Sequence, residues 1–221
     1  MKACIPVVLF ALAGSGIPAQ GVPQSIKLPE PRHQGAMPVE AALAARQSVR
    51  AVTGDSITLA DAGQLLWAAQ GVNRPNGHRT APSAGATYPL ELYLVASRVS
   101  GLSAGVYHYG VAGHVLEPVA TGDHLREFVA GAVHQAWVAD AAAVIVFTAV
   151  YARTAQRFGA RAERYVSMEV GHSAQNVYLQ AVALGLGTTF AGSVQDTAAT
   201  RILTLPADRV PLGIMPVGRP R

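Results

Sequence analysis

Residues 79–89 read Arg79-Thr80-Ala81-Pro82-Ser83-Ala84-Gly85-Ala86-Thr87-Tyr88-Pro89 and lead directly into the apolar segment Leu90 to Ala96. Small side chains and hydroxyl groups lie between the two prolines of this stretch. Because little side-chain bulk is present, a flat molecule could approach the backbone closely. Gly and Pro also mark ordinary turns, so the stretch taken alone favours a turn before a strand over a binding site. Its meaning depends on the rest of the chain.

The N-terminus has the pattern of an export signal. Lys2 is followed by the apolar run Ile5 to Ala13 and by small residues ending at Ala19. That run is too short to span a bilayer as a stable helix, so we predict a secretory signal peptide over residues 1–19, with an uncleaved anchor as the alternative. Removal of the signal would leave no stable membrane insertion. We therefore expect an exported protein, either periplasmic or extracellular.

The remaining length and composition predict one domain. Residues 20–36 are rich in proline and read as an extended leader, and residues 37–221 are enough for a single substantial core. The net charge of +4 and the pI near 9.5 come from scattered arginines without a basic block interleaved with aromatic residues, so we expect no nucleic-acid partner. Cys4, the single cysteine, lies in the signal, which leaves no thiol nucleophile and no disulfide.

Periodicity predicts an α+β chain. The helices are expected at 38–46, 58–70, 123–133, 162–184 and 196–205, and the strands at 88–96, 105–109, 114–119, 141–150, 188–192 and 210–217. The helix at 162–184 is apolar over much of its surface and should lie at the centre of a domain or dimer. His108 and His114 lie in or beside strands without Cys, Asp or Glu at ligand spacing, so no metal site is predicted.

A second motif, Arg46-Gln47-Ser48-Val49-Arg50, places two arginines on either side of a serine. Guanidinium groups match the geometry of a phosphate, and the serine hydroxyl can add one short hydrogen bond. A solvated helix end is the more frequent explanation of such a motif when it stands alone.

Together these segments resemble the flavin-dependent nitroreductase superfamily, and in particular its SagB-type, ThcOx-like branch of azoline oxidases. The resemblance covers nearly the whole mature chain. The segments that carry it, in order, are Arg46 to Arg50, Ala81 to Pro89, Glu169 to Asn176, Ala183 to Gly187, and Pro216 to Gly218. It implies a nitroreductase-like fold, with an antiparallel-rich sheet flanked by helices and a long central helix. It further implies a homodimer that binds FMN in each interface cleft, with NAD(P)H as a possible electron donor.

The resemblance also implies roles for particular residues. The phosphate of FMN would be held near Arg46, Ser48, Arg50 and Arg219, and the ring edge would be covered by the backbone around residues 82–85. Ala191 and Gly192 match the family segment whose backbone N–H faces flavin N5, where a donor stabilises the reduced ring. The full set of implied cofactor-binding residues is Arg46, Gln47, Ser48, Arg50, Pro82, Ser83, Ala84, Gly85, Ala191, Gly192, Gly218 and Arg219.

A catalytic acid or base is not identified by the resemblance. Azoline oxidases of this branch carry a Lys-Tyr pair before the long helix, and the matching position here is Arg157-Phe158, which places azoline chemistry in doubt. Tyr165 and His172 are the candidates that remain, although His172 is favoured as a core histidine.

The resulting expectation is an FMN-dependent oxidoreductase that transfers hydride between flavin N5 and a small organic or peptide substrate. Three alternatives stay open: an azoline oxidase that forms thiazole or oxazole in a modified peptide, a flavin-binding redox relay or sensor without catalysis, and a chain that has kept the fold but lost the flavin.

Overall fold

The computed structural model of the protein describes Met1 and residues 24–221. Apart from Met1, the predicted signal peptide lies outside the described residues. The helices are α1 (Val39–Ala45), α2 (Leu59–Gln70), α3 (Leu125–Phe128), α4 (Tyr151–Phe158), α5 (Ala162–Ala183) and α6 (Asp196–Ile202). The strands are β1 (Ile26–Lys27), β2 (Ile57–Thr58), β3 (Leu90–Ala96), β4 (Val99–Ser100), β5 (Gly105–Gly110), β6 (Val115–Thr121), β7 (Ala143–Ala149), β8 (Gly187–Thr188) and β9 (Val210–Gly218).

The main sheet has seven strands in the order β1-β6-β5-β3-β7-β9-β8, and every neighbouring pair is antiparallel. Strand β7 lies next to the central strand β3, and its seven residues are all buried because helices cover both faces of the sheet. A continuous apolar strand suits that position, since neither side chain direction meets water. The α+β prediction with an antiparallel-rich sheet is confirmed.

Successive side chains of β3 point to opposite faces of the sheet, and the core is accordingly divided into two clusters. Leu92 and Leu94 face the cluster that contains α2 and α5, whereas Tyr93 and Val95 face the cluster that contains α3 and α6. The α2 helix begins with a capping box, in which the Thr58 hydroxyl accepts from Asp61 N and the Asp61 carboxylate accepts from Thr58 N. The predicted long helix, α5, belongs to the same cluster as α2 and packs beside it on one face of the sheet.

Two predicted elements differ in detail. Before the long helix, α4 ends in a sharp turn at Gly159, whose φ of 55° lies in the left-handed region. The strand predicted at 188–192 is shorter, with β8 followed by a single bridge from Ala191 to Ile214. Of the helix predicted at 123–133, only α3 is α-helical, and residues 129–133 form a π turn.

The segment predicted as an extended leader packs against the domain. Strand β1 pairs with β6, and Leu28 is buried beside it. Further along, Arg32 N donates to Gln64 Oε1, and Gln64 Nε2 donates to the Arg32 carbonyl oxygen. None of the described helices is both long and apolar enough to cross a bilayer.

Candidate functional site

The Arg79–Pro89 stretch forms a closed loop before β3. Its ends meet where Arg79 N donates to the Tyr88 hydroxyl at 3.2 Å, and Tyr88 N donates to Ser83 Oγ at 2.9 Å. Between them Gly85, Ala86 and Tyr88 all have positive φ values, of 58°, 55° and 44°. Such angles are sparsely populated by residues other than glycine and persist only where surrounding contacts hold them.

Helix α4 supplies those contacts. Arg153 Nη1 donates to the Tyr88 carbonyl oxygen at 3.0 Å, and Arg157 Nη1 donates to the Gly85 carbonyl oxygen at the same distance. The Thr87 and Thr154 hydroxyls are 2.9 Å apart. The loop is therefore fixed from one side by three side chains of a neighbouring helix, and Pro82, Gly85 and Ala86 are exposed.

An ion network extends from α4 into the sheet. Glu91 pairs with Arg153 and also accepts from His108 Nε2 at 2.6 Å, while His108 Nδ1 lies 2.8 Å from Glu117. Burial alone would raise the pKa of Glu91, but the bonds to His108 and Arg153 outweigh it and lower that pKa to about 2. Burial would likewise lower the pKa of His108, and its two carboxylate partners raise it instead.

A buried polar cluster lies beneath the loop. Arg79 Nη1 donates to Gln70 Oε1 at 3.0 Å, and the Arg79 guanidinium lies over the Tyr88 ring at 4.6 Å. Glu169 of α5 is only 2% exposed, and its Oε1 and the Gln70 Nε2 have no hydrogen-bond partner among the described residues. Burial raises the pKa of Glu169 to about 7, against the opposing effects of Ser83, Arg79 and Gln70.

A cavity of about 460 Å³ opens beside the loop. It is cationic, because Arg74 and Arg79 line it and none of its lining residues carries a carboxylate. The lining residues are Asn73, Arg74, His78, Arg79, Thr80, Pro82, Ser83, Gly85, Ala86 and Tyr88. The predicted residues Pro82, Ser83 and Gly85 thus border a space of the size that small ligands occupy, and Ala84 continues the same turn.

The arginine-serine motif forms a second group, centred on Tyr178 of α5. Ser48 Oγ lies 3.5 Å from the Tyr178 hydroxyl, and the Arg46 guanidinium lies over the Tyr178 ring at 5.3 Å. Phe190 N donates to the Tyr178 hydroxyl at 2.6 Å, and Thr189 Oγ1 lies 3.2 Å from it. Burial would raise the pKa of Tyr178, but these hydrogen bonds and the Arg46 charge together lower it.

Arg50, Gly218 and Arg219 belong to the same region. Val49 N donates to the Thr188 carbonyl oxygen and Thr53 N donates to the Arg219 carbonyl oxygen, so the motif runs between β8 and the end of β9. A Cβ on Gly218 would lie 2.9 Å from Val52 Cβ, which explains the glycine at this crossing. Gln47 lines a cavity of about 190 Å³ together with Val49 and Tyr178.

Of the predicted N5 segment, Gly192 has the available donor. Ala191 N donates to the Ile214 carbonyl oxygen at 2.9 Å and is therefore occupied. Gly192 is exposed, and within residues 24–221 its N–H has no acceptor. A donor toward a ligand at this position is therefore supplied by Gly192 rather than by Ala191.

The two groups lie on different sides of the long helix. Glu169 belongs to the loop group and Tyr178 to the motif group, nine residues further along α5. At 1.5 Å and 100° per residue, nine residues correspond to about 13.5 Å along the axis and to a half turn around it. One chain therefore does not bring the predicted ring cover and the predicted phosphate clamp to the same face of α5.

The candidate catalytic residues are also on α5, apart from both groups. Tyr165 is half-buried and packs edge-on against the Phe158 ring, with centroids 5.0 Å apart. His172 is exposed, so the expectation that it is a core histidine is wrong: it lies on the helix face turned away from the sheet. The same exposed face carries Met168, 53% exposed, and Gly171.

Tyr178 and Glu169 were not singled out by the sequence analysis. Glu169 had a detectable signal, because it falls on the buried stripe of α5 that includes Val166, Val170 and Ser173. A carboxylate at such a position requires a partner or a raised pKa. Tyr178 had no such signal in the sequence, since a tyrosine on a long helix usually packs in the core.

Comparison with known proteins gives a consistent result. The nitroreductase family model matches residues 43–219. MJ1384 of Methanocaldococcus jannaschii, assigned to the nitroreductases, is 42% identical over 181 residues, which cover 82% of this chain and 90% of that protein. A crystal structure of a Ralstonia eutropha JMP134 protein, also assigned to the nitroreductases, has a TM-score of 0.77 and 27% identity, over 92% of both chains.

A further relative is named for the processing of trifolitoxin. TfxB of Rhizobium leguminosarum bv. trifolii, the trifolitoxin-processing protein, is 28% identical over 132 residues, or 58% of this chain. The match covers 35% of TfxB, so this chain spans about a third of that relative.

Proposed function

Because the chain belongs to the nitroreductase family, we propose that it is an FMN-dependent oxidoreductase that exchanges hydride with a small organic or peptide substrate. One observation carries the proposal. Arg46, Arg50 and Arg219 lie on adjacent segments, and within residues 24–221 none of the three forms an ion pair with a carboxylate. Guanidinium groups without carboxylate partners and a serine hydroxyl, carried on neighbouring segments, are the donor types that suit a phosphate monoester.

The residues present fit FMN. Arg46, Ser48, Arg50 and Arg219 would hold its phosphate, and the Gly192 N–H would face the ring. The outward-facing turn around Gly85 lacks side chains that would displace a planar ring. When bound, the flavin supplies hydride transfer at N5, and the protein contributes orientation and electrostatics.

We further propose that the site is completed in a homodimer. The support is the half turn of α5 that separates the loop group from the motif group, together with an exposed stripe on the same helix. That stripe repeats at helical spacing and consists of Arg164, Met168, Gly171, His172 and Gln175. If α5 packs against α5 of a second copy, the loop of one chain can cover the flavin held by the motif of the other.

Sedimentation of the purified protein tests the dimer. Met168→Glu should dissociate it, because a charge would enter the centre of the stripe. Ala130→Glu is the control, since Ala130 is exposed near the second core, on the other face of the sheet. A monomer that still retains FMN, or a dimer unaffected by Met168→Glu, would contradict the interface model.

The oxidoreductase activity is tested by mixing the FMN-loaded protein with NADH and with NADPH in a stopped-flow spectrometer. Rapid bleaching of the flavin absorption, followed by its return on addition of a nitroarene or quinone, is the expected result. Slow reduction by both nicotinamides would mean that the substrate itself reduces the flavin. Flavin that can be reduced but passes its electrons to none of the organic acceptors would favour the redox relay or sensor.

Oxidation of a modified peptide is the second candidate, and the similarity to TfxB supports it. Arg157 and Phe158 stand where the resemblance expects a Lys-Tyr pair, and both have other roles here. Arg157 holds the Gly85 carbonyl oxygen, and Phe158 packs on Tyr165. An azoline-containing peptide should therefore leave the oxidised flavin unreduced, and its conversion to an azole would favour this second function.

Export remains a proposal that the apolar segment of the N-terminus supports. N-terminal sequencing of the native protein should find a start after Ala19. An intact Met1 in the native protein would contradict cleavage.

A further inference from the structure

We propose that the cavity of about 460 Å³ beside the loop binds the carboxylate of a small, flat organic acid, so that the substrate of this protein is an anion. The assignment rests on the proposed function, because it names the substrate class of that oxidoreductase. Three features of the cavity carry it: two arginines without carboxylate partners, further groups that can donate hydrogen bonds, and a turn that holds these groups in place.

The positive charge of the cavity comes from Arg74 and Arg79. Both guanidinium groups are charged at neutral pH. Within residues 24–221, neither of them forms an ion pair with a carboxylate. Arg79 Nη1 donates instead to the neutral Gln70 Oε1, which leaves its charge in place. A guanidinium group can bind a carboxylate through two parallel hydrogen bonds, so these two side chains suit an organic acid.

Two carboxylates of the protein lie near enough to act on Arg79, and both are offset. Glu91 is already bound by Arg153 and His108. Burial raises the pKa of Glu169 to about 7, so only part of its population is charged near neutral pH. The cavity therefore keeps a positive charge for an anion that enters it.

Other polar groups of the cavity can also donate to an anion. The Tyr88 hydroxyl accepts from Arg79 N at 3.2 Å, and its own hydrogen is available to His78 Nδ1, 3.1 Å away. With Nδ1 as the acceptor, the neutral imidazole carries its hydrogen on Nε2 and is a donor there. Asn73 adds a side-chain amide to the same lining.

Arg74 and His78 are held on one tight turn. Asn73 N donates to the His78 carbonyl oxygen at 2.9 Å, and Gly77 N donates to the Arg74 carbonyl oxygen at 3.0 Å. Gly77 has a φ of 80°, which lies in the left-handed region that favours glycine. The backbone that carries the two side chains is thus fixed before a ligand arrives, which lowers the cost of ordering it on binding.

The shape of the substrate follows from the remaining lining residues. Pro82, Gly85 and Ala86 also line the cavity, and all three are small and exposed. A flat body can lie against them while its carboxylate binds the arginines. The volume is within the range of small-molecule sites. An aromatic acid therefore suits the cavity better than a neutral or cationic ring of the same size.

Calorimetry of the purified protein, without a reductant, tests the charge preference with three ligands of one shape: 4-nitrobenzoate, 4-nitrobenzyl alcohol and 4-nitrobenzylamine. The wild type should bind the acid at least about tenfold more tightly than the alcohol, and the amine most weakly. The preference for the acid should shrink as salt is added, because salt screens exposed charges.

Arg74 is the residue to replace first, because it is exposed and its loss should leave the fold intact. Arg74→Gln should reduce the ratio of acid to alcohol affinity, and Arg74→Glu should favour the amine over the acid. Arg201→Gln is the matched control, since Arg201 is 70% exposed on α6, and it should leave the ratio unchanged. Equal affinity of the wild type for acid and alcohol, or a ratio unaffected by both Arg74 variants, would overturn the proposal.

The same titration with FMN-loaded protein separates the substrate from the cofactors. The acid should still bind, whereas its exclusion by FMN would mean that the flavin fills the cavity and would overturn the proposal. Steady-state kinetics should show a higher kcat/KM for the acid than for the alcohol with either nicotinamide as the donor. An Arg74→Gln variant that changed only the choice between NADPH and NADH would assign the cavity to the NADPH phosphate and contradict the proposal. If the protein binds no flavin, the proposed function fails, whereas calorimetry still decides on the cavity.

Discussion

Replacing Glu91 by Gln should destabilise the protein by about 2 to 3 kcal/mol at pH 7. Glu91 has an ordinary pKa of 4.5 that its partners lower to about 2 in the folded protein. That difference corresponds to about 3 kcal/mol of unfolding free energy at about 1.4 kcal/mol per pKa unit. The side chain is 12% exposed, so solvent screens the interaction little. Urea unfolding of both proteins gives the two free energies.

The sign of the pH dependence follows from the lowered pKa. The contribution of Glu91 is present above its unfolded pKa of 4.5 and is lost as pH falls through about 2. The advantage of the wild type over Glu91→Gln should therefore shrink between pH 4.5 and pH 2. Glu117→Gln is the matched control, because Glu117 binds the same His108 but is 53% exposed, and it should cost under about 1 kcal/mol. A Glu91→Gln effect that is below about 0.5 kcal/mol, or constant over this range, would refute the reasoning.

Three other substitutions have definite outcomes. His108→Gln should cost stability below pH 6.5, and urea unfolding should show the difference fading as pH rises through the raised pKa of His108. Tyr178→Phe should lower the unfolding free energy by about 1 to 3 kcal/mol, since it leaves Phe190 N without its acceptor, and an unchanged midpoint in urea would argue against that bond. Gly85→Ala should cost about 1 to 2 kcal/mol because of its φ of 58°, measurable as a lower melting temperature; equal stability would mean that the loop relaxes freely.

Much of the fold could be predicted from sequence because its elements have strong local signals. The apolar run of β7 and the periodicity of α2 and α5 each reflect a simple burial pattern. The ends of helices and strands were harder to predict from the sequence where tertiary contacts determine them. β8 ends at Thr188 because the chain then leaves the sheet edge, and no residue type in 188–192 marks that point.

The candidate site was predictable only in part. Residues 46–50 and 82–85 could be proposed as site residues because their small or charged side chains form recognisable motifs. The half turn of α5 that separates these two segments could not be predicted, since it depends on how two distant segments pack on one helix. That the Gly192 N–H is available and the Ala191 N–H is not was equally hidden, because it depends on a hydrogen bond from Ala191 to a residue of β9.

Titration of the purified protein with FMN, followed by absorbance and by sedimentation, tests the central claim most directly. We predict one FMN per chain in a dimer, with affinity at least about tenfold weaker in Arg46→Ala and Arg50→Ala, because each removes a phosphate ligand. Arg126→Ala, an exposed arginine of α3, is the matched control and should bind FMN as the wild type does. Failure of the wild-type protein to bind FMN, or full affinity in both arginine variants, would contradict the account.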